Sequence, residues 1–343
     1  MNRNETAPRI KKETKNKIRV EFDRSSRWER FKAKYLNSFF YKKILIAVVR
    51  FLLLLGLSYI ILFPFFSKIA SSFMSPKDFF QTDVKYIPKF PTLDQYKYLI
   101  TENNYFGALL NTFLLSGACA LIQTFICAFI GYGFAKFKFK GNKIMFILVL
   151  ITMMIPHQFI KSSMFLKFNS FGLINTFVPL IILSLTGLAF KNGLFIFIMR
   201  QFYRGVPDEL EESSYVDGYG VFKTFFYIII PLSVPMLVTV FILSFAWQWT
   251  DTFYTNMFFT RESSVLLLTS ERFWNVANSA YMPATLATIR DSQLAGTINV
   301  VGQYNLAVMN TAGFLVIIPL IIMYLFCQRK LIQGIEHSGF GGM

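Results

Sequence analysis

Six stretches of this chain, residues 44–66, 107–134, 144–160, 178–199, 232–253 and 304–326, are apolar almost without interruption. A helix rises 1.5 Å per residue, so roughly 20 such residues cross the ~30 Å of hydrocarbon in a bilayer. The runs are continuous rather than alternating, which points to helices and not to barrel strands. One soluble core of 343 residues cannot hide a composition that is 54% hydrophobic, holds 41 Phe and is only 16% charged. The expected fold is therefore all-α and integral to a membrane, with six transmembrane helices. Its parts are a basic tail (1–43), a first span (44–66), an outer loop (67–106), the main transmembrane domain (107–327) and a short tail (328–343).

Charge predicts the orientation. Residues 1–43 hold fourteen Lys or Arg against five acids, and Lys136, Lys138, Lys140 and Lys143 crowd the link between the second and third runs. Short basic segments stay on the cytoplasmic side, so both are expected there. An even number of spans returns the C-terminus, with Arg329 and Lys330, to the same side. The formal charge of +16 is thus a topology signal, and anionic lipid rather than nucleic acid is its expected partner. Within the tail, Trp28, Phe31, Tyr35 and Phe39 recur at three and four positions among basic residues. Either a helix lying in the membrane interface or a plain extension of the first span fits that pattern.

Cys119, Cys127 and Cys327 have no metal-ligand spacing and read as small packing residues. His157 and His337 are too far apart in sequence to suggest a metal site, and none is expected.

One polar, acidic segment interrupts the apolar pattern between the fourth and fifth runs. Pro207 with Asp208 and Glu209 reads as a helix start, where proline loses no needed N–H and acids complement the helix dipole. Asp217-Gly218 reads as its stop. A second short amphipathic run over 221–229 precedes Pro231, so a helix-turn-helix outside the hydrocarbon is expected over 204–231. Ser213 and Ser214 leave the first short helix with little bulk, which would let another protein approach closely.

These residues resemble the signature cytoplasmic loop of permease subunits of bacterial ABC importers. That signature is a glutamate, two small residues, three positions, a glycine, nine positions, then isoleucine, any residue, leucine and proline. Glu212, Ser213, Ser214, Gly218, Ile228, Ile230 and Pro231 fill those places, with serines for the usual alanines and isoleucine for leucine. The match extends through Pro91-Thr92-Leu93, Gly131-Tyr132-Gly133, Ile155-Pro156-His157-Gln158 and Arg200-Gln201-Phe202-Tyr203. These are similar to the maltose-type second permease of carbohydrate importers, with the type I importer fold. The resemblance implies that the 207–231 loop docks into a separate ATPase through Glu211, Glu212, Ser213, Ser214, Asp217 and Gly218. It also implies a second permease, two ATP-binding subunits and an extracytoplasmic solute-binding protein, and a long outer loop, 254–303, that reaches toward the binding protein.

The sequence contains no Gly-x-x-x-x-Gly-Lys-Ser/Thr loop to cradle phosphates and no motif for intramembrane catalysis. The chain is expected to be no enzyme and to bind no cofactor, with ATP-Mg used by the partner. Polar and aromatic residues within spans are candidates for the solute path: Lys191 and Asn192 in the fourth run, Trp247 and Gln248 in the fifth, Asn310 in the sixth. Each has an alternative role in packing. The function read here is import of a sugar or oligosaccharide across a bacterial plasma membrane. Import of another solute, such as a phosphorylated polyol, and a membrane sensor or scaffold remain as alternatives.

Overall fold

The computed structural model describes residues 28, 38–81, 84, 86–189, 191–279 and 300–335, and among these every regular element is helical. Two units are distinguished, Met1–Ser67 and Lys68–Met343. The first consists, as far as it is described, of the helix α1 (Ser38–Ser71) up to Ser67, apolar throughout and carrying Pro64. Of the aromatic pattern in the basic tail, Phe31 and Tyr35 fall outside the described residues, as do His337 and the end of the C-terminal tail.

The second unit is built around α3 (Tyr105–Lys136), which follows the short α2 (Asp94–Thr101). One face of α3 is lined by small buried side chains, among them Ala108, Thr112, Ser116, Cys119, Ala120, Cys127, Ala128 and Gly131. Small residues let helix backbones approach closely where lipid offers no hydrophobic drive. A methyl group at Gly131 would come within 2.7 Å of Met199 Cβ, so only glycine fits that crossing. Cys119 and Cys127 are fully buried in this face, as their packing role requires.

Against α3 pack α6 (Val178–Leu185), α7 (Asn192–Arg204) and α10 (Val234–Trp249), and α10 in turn packs on α13 (Val300–Ile335). Gln123 ties three of these together: its amide donates to Ser184 Oγ (3.3 Å) and accepts from Ser244 Oγ (2.7 Å). Between α3 and α7 lie α4 (Asn142–Thr152), a single 3₁₀ turn at His157–Ile160, and α5 (Lys161–Ser170).

Among the described residues the six expected runs are not all single helices. Three described helices are long and apolar enough to cross a bilayer alone: Tyr41–Ser71, Tyr105–Lys136 and Gly302–Ile332. Two bent pairs raise the possible total to five: Asn142–Thr152 with His157–Ser170, bent by 88°, and Val221–Leu232 with Val234–Trp249, bent by 78°. The third run stops before Pro156, whose predecessor is kept out of helical geometry. The fourth stops at Thr186-Gly187, where Gly187 takes φ 73° and the N–H of Leu188 turns back to Leu183 O. That is a glycine C-cap inside an apolar run.

The 254–303 region is also not a plain loop over its described part. α11 (Phe253–Phe258) and α12 (Glu271–Ser279) bracket a segment that buries Tyr254, Met257, Phe258, Phe259, Leu267, Leu268 and Phe273. Asn103 Nδ2 bonds Phe273 O (3.0 Å) and holds it to the rest of the unit. Tyr281 lies outside the described residues.

Candidate functional site

The acidic segment folds as α8 (Glu209–Val216) followed by the single turn α9 (Val221–Thr224). Asp208 rather than Pro207 caps the start, its carbonyl receiving the N–H groups of Glu211 and Glu212 at 3.0 Å each. At the other end Gly218 adopts φ 82°, the N–H of Tyr219 returns to Ser214 O (3.0 Å) and that of Gly218 to Tyr215 O (3.1 Å). This pair of bonds is a Schellman stop, and it accounts for glycine at this position. Ser214 Oγ and Thr224 Oγ1 lie 2.6 Å apart and lock α8 to α9. Beyond α9 a wider π-turn over Phe225–Ile229 leads into Pro231, which has no N–H to continue the ladder.

The expected contact residues separate into two sets. Glu212, Ser213, Asp217 and Gly218 are exposed, while Glu211 and Ser214 are buried within the chain. Ser214 is therefore small because α9 packs on it, not because a partner does.

The buried set has a cause invisible in local sequence. Lys136, the last residue of α3, places its Nζ 2.6 Å from Val206 O, 2.6 Å from Asp208 Oδ1 and 3.4 Å from Glu211 Oε1. Its side chain is only 7% exposed, and that of Glu211 10%. The ammonium beside Asp208 holds that carboxyl below the usual carboxylate range. Tyr132, one turn earlier on α3, packs edge-on to Tyr203 and against Phe225. The loop is thus tied to the central helix by charge and by aromatic packing.

A second region forms where the two interrupted runs face each other. A cavity of about 550 Å³ is lined by Met153, Pro156, His157 and Gln158 from the third run, by Gly187, Lys191 and Leu194 from the fourth, and by Phe253. Lys191 is not within a helix but precedes α7, in the left-handed region at φ 69°. This corrects its expected place deep inside a continuous span. Its Nζ sits 5.3 Å from the centroid of the Trp247 ring, which also packs at a 30° tilt against Phe195, 5.4 Å between centroids. His157 Nδ1 and Tyr254 Oη are 3.0 Å apart across the same region.

Of the other candidates, Asn192 is 1% exposed and neither atom of its amide finds a hydrogen-bond partner among the described residues. The buried Gln248 amide nitrogen is likewise unpartnered there. Asn310 stands apart from this group, donating to Ser71 Oγ at 3.2 Å beside the Thr311–Gln95 bond. The structure therefore puts Lys191 at the cavity with Trp247 packed behind it outside the lining, keeps Asn192 buried next to Lys191 in sequence, and uses Asn310 as a tie between helices. His157 and Gln158, absent from the expected path, line it.

Long apolar helices and interrupted apolar runs around a shared cavity, with an acidic helix-turn between two of them, define a multi-pass membrane protein. The chain belongs to the family of binding-protein-dependent transport system inner membrane components, which matches residues 125–337. It is 26% identical over 301 residues to the arabinooligosaccharides transport system permease protein AraQ of Halalkalibacterium halodurans, covering 86% of this chain and 98% of that one. It is 25% identical over 307 residues to the maltodextrin transport system permease protein MalD of Streptococcus pneumoniae, covering 89% and 99%. In fold it is similar to a chain of a bacterial ABC transporter involved in import of the acidic polysaccharide alginate, with TM-score 0.66, 19% identity and coverage of 84% and 97%. These relatives are permease subunits and not ATPases, so the chain is a transport subunit and no enzyme.

Proposed function

We propose that this chain is one of two permease subunits in an ATP-driven importer of an oligosaccharide, supplied by an extracytoplasmic solute-binding protein. Two separate ATP-binding subunits use ATP-Mg; this chain binds no cofactor. Both termini and the 204–231 loop lie in the cytoplasm of a bacterial cell, and the chain crosses the plasma membrane six times, counting each interrupted run as one crossing.

The observation that carries this reading is the form of the loop. Its inner side is fixed to α3 through Lys136, and its outer side presents Glu212, Ser213 and Val216, the last 87% exposed. A helix held on one side and bare on the other suits docking into an ATPase cleft. The choice of an oligosaccharide rests on the substrates printed in the names of the relatives. Phe253 offers a ring face for sugar stacking, and Lys191, His157 and Gln158 offer donors for hydroxyls, at a cavity of about 550 Å³, with Trp247 supporting Lys191 from outside the lining.

The test is assembly and crosslinking. The chain is co-expressed with its neighbouring transport genes, and Val216→Cys is combined with cysteines in the ATPase. Crosslinking in the purified complex, with uptake of radiolabelled maltotriose or arabinotriose into vesicles, supports the reading. An assembled complex in which Val216→Cys never meets the ATPase refutes it.

A further inference from the structure

A second pocket, of about 590 Å³, lies near the loop but is not part of it. It is lined by Lys138 from the α3–α4 link, by Lys143 from the first turn of α4 and by Arg200 and Arg204 from the end of α7, together with Phe137 and Phe139. No acidic side chain lines it among the described residues, and none of these four cations forms an ion pair there. Four like charges around one concavity give it a positive potential suited to an anion, even though the Asp208 carboxylate lies close enough to act on Lys138.

Arg200 is held ready for one. Its Nε donates to Phe134 O (3.3 Å) and its guanidinium carbon lies 3.9 Å from the centre of the Phe146 ring. Those contacts fix the plane of the fork and leave its terminal nitrogens for a bidentate acceptor. The start of α4 also opens into the pocket: Gly141 caps it in left-handed geometry at φ 90°, with no side chain bonded to the first N–H groups. A helix start of this kind favours phosphate.

Depth decides which phosphate. α3 ends at Lys136, α4 begins at Asn142 and α7 ends at Arg204, so three apolar helices reach their charged ends around this pocket. That is the level of lipid headgroups. Ile144 beside the pocket is 67% exposed, and Phe137 and Phe139 are 39% and 44% exposed, an apolar border suited to acyl chains.

We infer that this pocket binds the phosphate of an anionic phospholipid headgroup, with Arg200 as the oriented clamp and Lys138, Lys143 and Arg204 as its surrounding charges. A lipid there sits between α4 and α7, next to the loop. The inference needs only that these helix ends lie at a membrane surface, and so stands apart from the identity of the solute.

The test uses the complete transporter in detergent, with native mass spectrometry of bound lipid. The probes are dioleoyl-phosphatidylglycerol, tetraoleoyl-cardiolipin, dioleoyl-phosphatidylcholine and inorganic phosphate. Wild type should retain the two anionic lipids and not the neutral one. The triple variant Lys138→Gln, Lys143→Gln, Arg204→Gln changes exposed residues only, and at about fivefold per basic group near an anionic surface it should lose about two orders of magnitude in affinity. A control, Lys77→Gln with Lys97→Gln, removes exposed charge far along the chain and should retain the lipid. Arg200→Lys keeps the charge, loses the fork and should weaken binding while the complex stays assembled. Equal retention by the triple variant and wild type overturns the inference. So does displacement of the lipid by millimolar phosphate, which would assign the pocket to a soluble anion.

Discussion

Replacing Lys136 by methionine removes the cation at the root of the loop while keeping an unbranched side chain of similar reach. The two carboxylates it leaves behind fare unequally. Asp208 is 77% exposed and simply rehydrates. Glu211 is 10% exposed and cannot, so its carboxylate stays largely out of water with no counter-charge. Breaking a buried pair by removing one partner costs about 3–5 kcal/mol, and the residual exposure of Glu211 places the expectation near the lower bound, about 3 kcal/mol. The cost falls on the local opening of α8 rather than on the helices that pack around α3. At about 1.4 kcal/mol per factor of ten, amide exchange across Glu209–Val216 should accelerate about a hundredfold, with exchange in α10 unchanged. Hydrogen exchange read by mass spectrometry on the purified complex measures this directly. Lys136→Met combined with Glu211→Met should recover most of the loss, because an apolar pair of similar volume often replaces a buried ion pair at no cost. Acceleration below about threefold in the single variant, or a double variant as loose as the single, would refute the pairing.

Lys191 occupies left-handed backbone that costs a non-glycine residue about 1–2 kcal/mol. Lys191→Gly should therefore leave the complex as stable or more so while lowering uptake per assembled complex, and unchanged uptake per complex would remove Lys191 from the solute path. Gly131→Ala should destabilise by about 1–3 kcal/mol, because its methyl meets Met199 at 2.7 Å; a melting temperature equal to wild type would contradict the close crossing of α3 and α7. Gly218→Pro removes the N–H given to Tyr215 O and a φ of 82° that proline cannot adopt, and with Glu212→Lys it should lower uptake; normal uptake and normal ATPase association in both would take the loop out of the mechanism. The depressed carboxyl of Asp208 contributes stability that is complete above its unfolded value, near pH 4, and is lost as pH falls through the folded value. Exchange in α8 should then quicken below about pH 4 in wild type, and Lys136→Met should abolish that step.

Much of this is legible in the sequence because it is local. The length of the apolar runs announces α3 and α13, and Asp217-Gly218 announces the stop that the Schellman bonds of Gly218 realise. The departures have two physical sources. Thr186-Gly187 carries the same kind of stop signal, but it lies inside a run whose average hydropathy overwhelms it, so the pattern puts Lys191 inside a helix that it precedes. The remaining departures are long-range pairings. Lys136 reads as a topology charge until it is seen to meet Asp208, and Asn310 reads as a path residue until Ser71 accepts from it. Phe273 falls in the stretch read as a long outer loop, yet it is buried and Asn103 binds its carbonyl from far along the chain.

The interruption between α6 and α7 also bears on how the chain is turned in the bilayer. From Thr186 to Ala189 the backbone leaves helical geometry within an apolar run, the N–H groups of Gly187, Leu188 and Ala189 closing turns onto Ser184 and Leu183 instead of continuing a helix. Irregular backbone at that depth survives only against protein or water. The surface bearing Gly187, Lys191 and Pro156 must then be turned from lipid, toward a hydrated space or another subunit. Two glycine- and proline-marked breaks thus constrain how the unit that carries them is rotated about the membrane normal.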